Sequence, residues 1–200
     1  NTLKEILAKK ALTLLKLENK KLLPLHAKKT KTLYIGIGIN KENIFATNMK
    51  DVYGADAVLF DFTDSNTKAD SIASLISGYD AVVVGLHNFN RRPANNFGIS
   101  QNALDLLSKV QGANTINFCF GNPYAVANLC GANNIVVCYE DDEITQKAGI
   151  QLLQGTNQPE GKLPVTVCDN FAFGTGIETA SYFETAVPEE VGMSSVGLQK

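Results

Sequence analysis

Several signals are missing from this 200-residue chain, and each absence narrows what it does. Charge of one sign is missing: 18 Lys and Arg against 20 Asp and Glu leave a formal net charge of −2. Nothing electrostatic therefore points to nucleic acid or to an anionic membrane surface as a partner. No apolar run is long enough to span a bilayer, and no signal peptide is visible. The four cysteines and two histidines include no Cys-x-x-Cys and no Cys/His ligand spacing, so neither a metal site nor a disulfide scaffold is expected. Cys119, Cys138 and Cys168 fall on expected core strands and are expected to be buried free thiols. No cofactor is indicated.

Forty-four per cent hydrophobic and 19% charged residues, over this length, suit one globular domain with a large core. Thr32–Ile37, Ala57–Phe62, Ala81–Leu86, Thr115–Phe120 and Ile135–Tyr139 are short apolar runs rich in β-branched residues, as expected of strands buried on both faces. Helical stretches alternate with them, over 42–53, 68–77, 99–110 and from the Glu140-Asp-Asp-Glu143 turn to Gln154. Asp141 or Asp142 can cap the last of these, and Gly155 can close it in a left-handed conformation. The order predicts an α/β fold: a three-layer α/β/α sandwich, flavodoxin-like, around a mainly parallel sheet of five to six strands. Two further segments are read less directly. Leu3, Ile6, Leu7, Ala11, Leu14 and Leu15 make a helical stripe over Thr2–Leu17 with lysines opposite, and Leu163–Cys168 reads as another strand.

In an open α/β sheet, ligands sit beyond the carboxyl ends of the strands. The loop leaving Leu86 is His87-Asn-Phe-Asn-Arg-Arg-Pro-Ala-Asn-Asn-Phe-Gly-Ile-Ser100, rich in amide and guanidinium donors around two phenylalanines. That mixture suits sugars or a polar domain interface. His87, Asn88, Arg91, Arg92, Asn95 and Asn96 are its candidates, with Glu140, Asp141 and Asp142 after the next-but-one strand. No orienting carboxylate is evident in the sequence beside His87, so that residue reads as structural. Other chemistries fit less well. Gly36-Ile-Gly38 begins like a dinucleotide fingerprint, but Lys41 stands where the third glycine belongs. Asp61 lacks the acidic pair a receiver domain needs for Mg²⁺. Asn117-Phe-Cys119-Phe-Gly121 half-resembles a nucleophile elbow, yet Asn117 occupies the first glycine position. An independent Cys–His hydrolase using Cys119 and His87 is the alternative this leaves, with a non-catalytic interaction module as a third reading.

One run carries a resemblance. Gln151-Leu-Leu-Gln-Gly-x-x-x-Pro-x-Gly-Lys-Leu-Pro-Val-Thr166 is similar to the signature of glycoside hydrolase family 3, in the α/β sandwich domain that follows a catalytic barrel. Ala11–Lys16 with Leu22–Leu25, and Gly121–Val126, resemble the entry and a turn of the same domain. The resemblance implies a linker helix over 1–25 leading from an N-terminal catalytic barrel of the same polypeptide, and a sandwich over 26–178. It also implies a linker over 179–200, where Pro188–Ser195 resembles the lead-in to a serine β-lactamase-like domain; the Ser-x-x-Lys of such a domain does not occur here.

By the same resemblance, the nucleophilic aspartate lies on the barrel, so no catalytic residue is expected in this chain. In glucosidase-like members a sandwich glutamate supplies the acid/base, whereas in N-acetylglucosaminidase-like members a barrel histidine–aspartate pair does. Glu140-Asp-Asp-Glu143 replaces the glucosidase pattern, which favours the second subgroup. The domain is then expected to support the barrel and lend rim contacts to a carbohydrate substrate at the shared site. A periplasmic or cell-surface setting follows from the resemblance alone.

Overall fold

The computed structural model describes residues 2–27 and 29–178. Helix α1 (Leu3–Ala11) starts at a capping box, in which Thr2 and Glu5 satisfy each other's backbone N–H groups. Strands β1 (Thr13–Leu17), β2 (Thr32–Ile37), β3 (Asp56–Phe60), β4 (Ala81–Leu86), β5 (Thr115–Cys119) and β6 (Asn134–Val137) form one sheet in the order β1-β6-β5-β4-β2-β3. All neighbours are parallel except β1, which runs antiparallel beside β6. Numbered from β2, the five parallel strands have the 2-1-3-4-5 order of flavodoxin-like folds.

Helices α2 (Ile44–Tyr53) and α5 (Glu143–Leu153) cover one face, while α3 (Asn66–Leu75) and α4 (Gln101–Lys109) cover the other. Each carries a side-chain N-cap, supplied by Asn43, Asp142, Ser65 and Ser100 respectively. Alternation along β4 and β5 divides the core. Val82, Val84, Leu86 and Cys119 face α3 and α4, whereas Val83, Ile116, Phe118 and Phe120 pack under α2 and α5. Gly155 closes α5 at φ 73°, as expected. Among the described residues no helix is long and apolar enough to cross a membrane.

Three expectations need correction. The helix expected over Thr2–Leu17 stops at Ala11, because Leu14 and Leu15 go to opposite faces of the sheet as part of β1. Residues 13–17 thus belong to the sandwich, and Leu22, Leu23 and Leu25 are buried in it as well. The apolar stripe of α1 is not packed away either: Leu3 and Leu7 are exposed and none of the helix is buried. The strand expected over Leu163–Cys168 is absent, apart from one bridge between Cys168 and Phe171. β1 already occupies the edge of β6, and Pro164 has no N–H to give a ladder. Finally, Cys168 is not a free thiol but is joined to Cys130, while Cys119 and Cys138 are free and buried. The expected linker over 179–200, with Pro188–Ser195, lies outside the described residues.

Candidate functional site at the carboxyl ends of β4, β5 and β6

Beyond β4, β5 and β6 the chain forms an open cleft of about 1010 Å³, lined by Asn88, Phe89, Arg91, Asn122, Tyr124, Tyr139 and the acidic turn 140–142. Beneath its floor lies His87, fully buried. Its Nδ1 is 2.9 Å from Asp141 Oδ1 and its Nε2 is 3.0 Å from the Tyr34 hydroxyl. The ring stacks on Phe120, with centroids 4.5 Å apart. An ionised carboxylate only accepts, so the partners assign a proton to Nδ1.

Asp141 accepts three internal hydrogen bonds. Besides the imidazole it accepts the Asn88 N–H at 2.9 Å and Gln146 Nε2 at 2.7 Å, and Gln146 in turn accepts the Phe45 N–H at 3.1 Å. Burial pulls the Asp141 pKa up, but the hydrogen bonds and field of His87, with the bonds from Asn88 and Gln146, outweigh burial and hold it below the usual carboxylate range. Burial together with the neighbouring carboxylate pushes the Tyr34 hydroxyl far above its ordinary value.

Two glycines make this arrangement possible. A Cβ on Gly85 would run into His87 Nε2 and the Tyr34 hydroxyl, so the β4 backbone must be bare where these side chains meet above it. Gly38 turns at φ 87° against the His87 carbonyl, where any side chain would collide. At the other rim Tyr139 adopts φ 65°, a conformation costing a bulky residue about 1–2 kcal/mol. Its hydroxyl is held by Thr13 at 2.7 Å, and its reversed backbone leads directly into Glu140 and Asp141.

The remaining candidates are spread out. Asp142 caps α5 through Thr145 N at 2.9 Å and pairs with Lys4 of α1 at 2.9 Å. Burial raises its pKa, but Lys4 and Thr145 together bring it down. Glu140 meets Arg91 through one contact of 3.3 Å, with side chains 58% and 87% exposed. Arg92 and Asn95 lie outside the cleft, in a shallow depression with Asn90 and Gly98. Asn96 also faces elsewhere, in a reciprocal amide pair with Asn128 at 3.1 Å. Asn95, Asn96, Phe97 and Gly98 form one left-handed turn, with φ between 50° and 73°.

The sequence reading missed the carboxylate that orients His87, because Asp141 lies 54 positions away. It also missed Lys4, Phe89, Asn122, Tyr124 and Tyr139 as lining residues. The carboxyl-end rule could have found Asn122 and Tyr124, which directly follow β5. The Cys119–His87 hydrolase does not survive the fold. Cys119 faces α3 and α4, His87 stacks on Phe120 across the sheet, and burial with the field of Asp141 pushes the Cys119 thiol up to about 12. Among the described residues no cluster of His, Cys, Asp and Glu is arranged to hold a metal ion.

No family model and no curated protein sequence matches this chain. Solved structures do. It superposes on a β-glucoside phosphorylase, BglX, with a TM-score of 0.59 and 23% identity, covering 82% of this chain and 31% of that one. A glycoside hydrolase family 3 β-N-acetylglucosaminidase from Paenibacillus sp. str. FPU-7 gives 0.67 and 17%, covering 82% and 32%. A β-glucosidase from Listeria innocua gives 0.65 and 17%, covering 96% and 30%. The chain thus spans about a third of the length of each of these three structures. Its fold is that of a domain-sized part of longer glycoside hydrolase family 3 proteins.

Proposed function

We propose that this chain is the sandwich domain of a family 3 glycoside hydrolase, β-N-acetylglucosaminidase-like, with no turnover of its own. It supports a catalytic barrel of the same polypeptide and lends Asn88, Arg91 and Glu140 to the rim of the shared carbohydrate site. The carrying observation is how the cleft's carboxylates are used. Glycoside hydrolysis needs two carboxyl-type groups, roughly 5–5.5 Å apart for retention. Here Asp141 is engaged in three internal hydrogen bonds and Asp142 is committed to Lys4 and the start of α5. Only Glu140 is exposed and lightly held, which suits a contact residue better than a catalytic pair. The acidic turn also disfavours a phosphate co-substrate at the start of α5, although the dipole there attracts anions. The Cys130–Cys168 disulfide fits the periplasmic or cell-surface setting that the resemblance implies.

The test is direct. This chain alone should leave chromogenic β-N-acetylglucosaminides and β-glucosides intact, while the longer polypeptide containing it cleaves the former. Turnover by the chain itself, or a longer polypeptide with no barrel and no glycosidase activity, refutes the proposal.

A further inference from the structure

Two loops meet over the cleft, and each hangs from one half of a buried pair. His87 begins the loop that carries Asn88 and Arg91, and Asp141 directly follows Glu140. The two oxygens of Asp141 divide the work: Oδ1 accepts His87 Nδ1–H and Oδ2 accepts the Asn88 backbone N–H, both at 2.9 Å. One carboxylate thereby pins both the side chain and the main chain where the first loop leaves β4. The Arg91–Glu140 contact spans the same two loops, but at 3.3 Å and largely in solvent it is too weak to hold them. The buried pair also reaches backward, through Gln146 to the first turn of α2 and through Tyr34 to β2.

We propose that His87 is a positioning residue that acts through Asp141 to set Arg91 against Glu140 across the cleft. The consequence for substrate rests on the function proposed above; the positioning itself does not. A plain filling role for the imidazole is the competing account, since the ring also stacks on Phe120. The two accounts separate because, apart from Asn43 Nδ2 at 3.3 and 3.4 Å from the two ring nitrogens, those nitrogens face different partners. His87→Asn puts an amide donor where Nδ1 stood and keeps the bond to Asp141 while losing Tyr34. His87→Gln reaches to where Nε2 stood and keeps the Tyr34 contact while losing Asp141. Filling predicts that the shorter Asn does more damage, or that both do the same. Positioning predicts the reverse order.

Both variants are read twice. In this chain, after thermal unfolding has verified that each is folded, the amide resonance of Asn88 should stay near its wild-type position in His87→Asn and move or broaden in His87→Gln. In the longer polypeptide, His87→Gln should raise KM about tenfold with kcat within about twofold, and His87→Asn should keep KM within about threefold of wild type. Equal effects of the two, wild-type behaviour of both, or a worse result for Asn overturn the proposal. Should His87→Gln not fold, Asp141→Asn keeps the shape but turns a donor toward the Asn88 N–H or toward His87. It is expected to show the same displaced resonance and raised KM, and wild-type values for it also overturn the proposal. A longer polypeptide inactive in its wild-type form would sink the glycosidase reading, while the resonance of Asn88 would still decide whether His87 positions the loop.

Discussion

Removing the Cys130–Cys168 bridge should cost the fold about 4 kcal/mol. The two cysteines are 38 residues apart and close a loop containing β6 and α5. In the chain-entropy model, cross-linking that span takes about 13 cal/mol/K from the unfolded ensemble, or about 4 kcal/mol at 25 °C. After α5 the chain has no helix or strand up to residue 178; Leu163 and Phe171 bury their side chains, and Asn170 reaches the Cys130 carbonyl at 3.0 Å. Main-chain bonds from Gly161 to Leu12 and from Ile177 to Leu14 still tie this segment to the start of the chain, but they do nothing to constrain the unfolded ensemble. The double variant Cys130→Ser/Cys168→Ser should therefore melt roughly 10 °C lower in calorimetry, taking about 2–4 °C per kcal/mol for a domain of this size. Its urea transition should move to a lower midpoint. Thiol titration of the denatured wild type without reductant should find only Cys119 and Cys138. Four titrating thiols, or a double variant melting within about 2 °C of wild type, would refute the reasoning.

Four further outcomes follow from the site. Gly85→Ala places a methyl group against His87 and Tyr34 and should cost about 1–3 kcal/mol in denaturant titration. Asp141→Asn should cost about 2–3 kcal/mol at pH 7; because the Asp141 pKa is depressed in the folded state, the wild-type advantage is full well above the unfolded carboxyl value of about 4 and shrinks as pH falls below it, so paired unfolding curves should differ less at pH 3 than at pH 7. Arg91→Ala should leave Tm within about 1 °C, because its ion pair is mostly solvated, while raising KM of the longer polypeptide for its glycoside. Iodoacetamide at pH 8 should leave Cys119 unmodified in the folded chain, since its thiol is buried and far from ionised at that pH; mass spectrometry decides it.

The parallel strands and most helices were legible because their signals are local. Ala81–Leu86 is a run of small and β-branched residues whose observed bounds match the expected ones, and Ser100, Asp142 and Gly155 mark helix ends by their own chemistry. What escaped depends on partners distant in sequence. Leu14 and Leu15 fit a helical stripe equally well until β6 offers an edge, and the pairing of Cys130 with Cys168 shows no spacing signal. The candidate site followed the same division. The carboxyl ends of β4 and β6 pointed to Asn88, Arg91 and the acidic turn. That Asp141, although it borders the cleft, is engaged by His87, Asn88 and Gln146 is visible only once both loops are placed.

The antiparallel edge also dictates an order of events during synthesis. Leu14 must wait for Val136, about 120 residues further on, which at ribosomal speeds of about 5–20 residues per second means some 6–24 seconds. Over that interval a leucine-rich segment with free backbone groups leaves the ribosome before the strand it will pair with exists. Lys16 within β1, and Lys9 and Lys10 just before it, are charges of the kind that discourage premature pairing of an exposed edge.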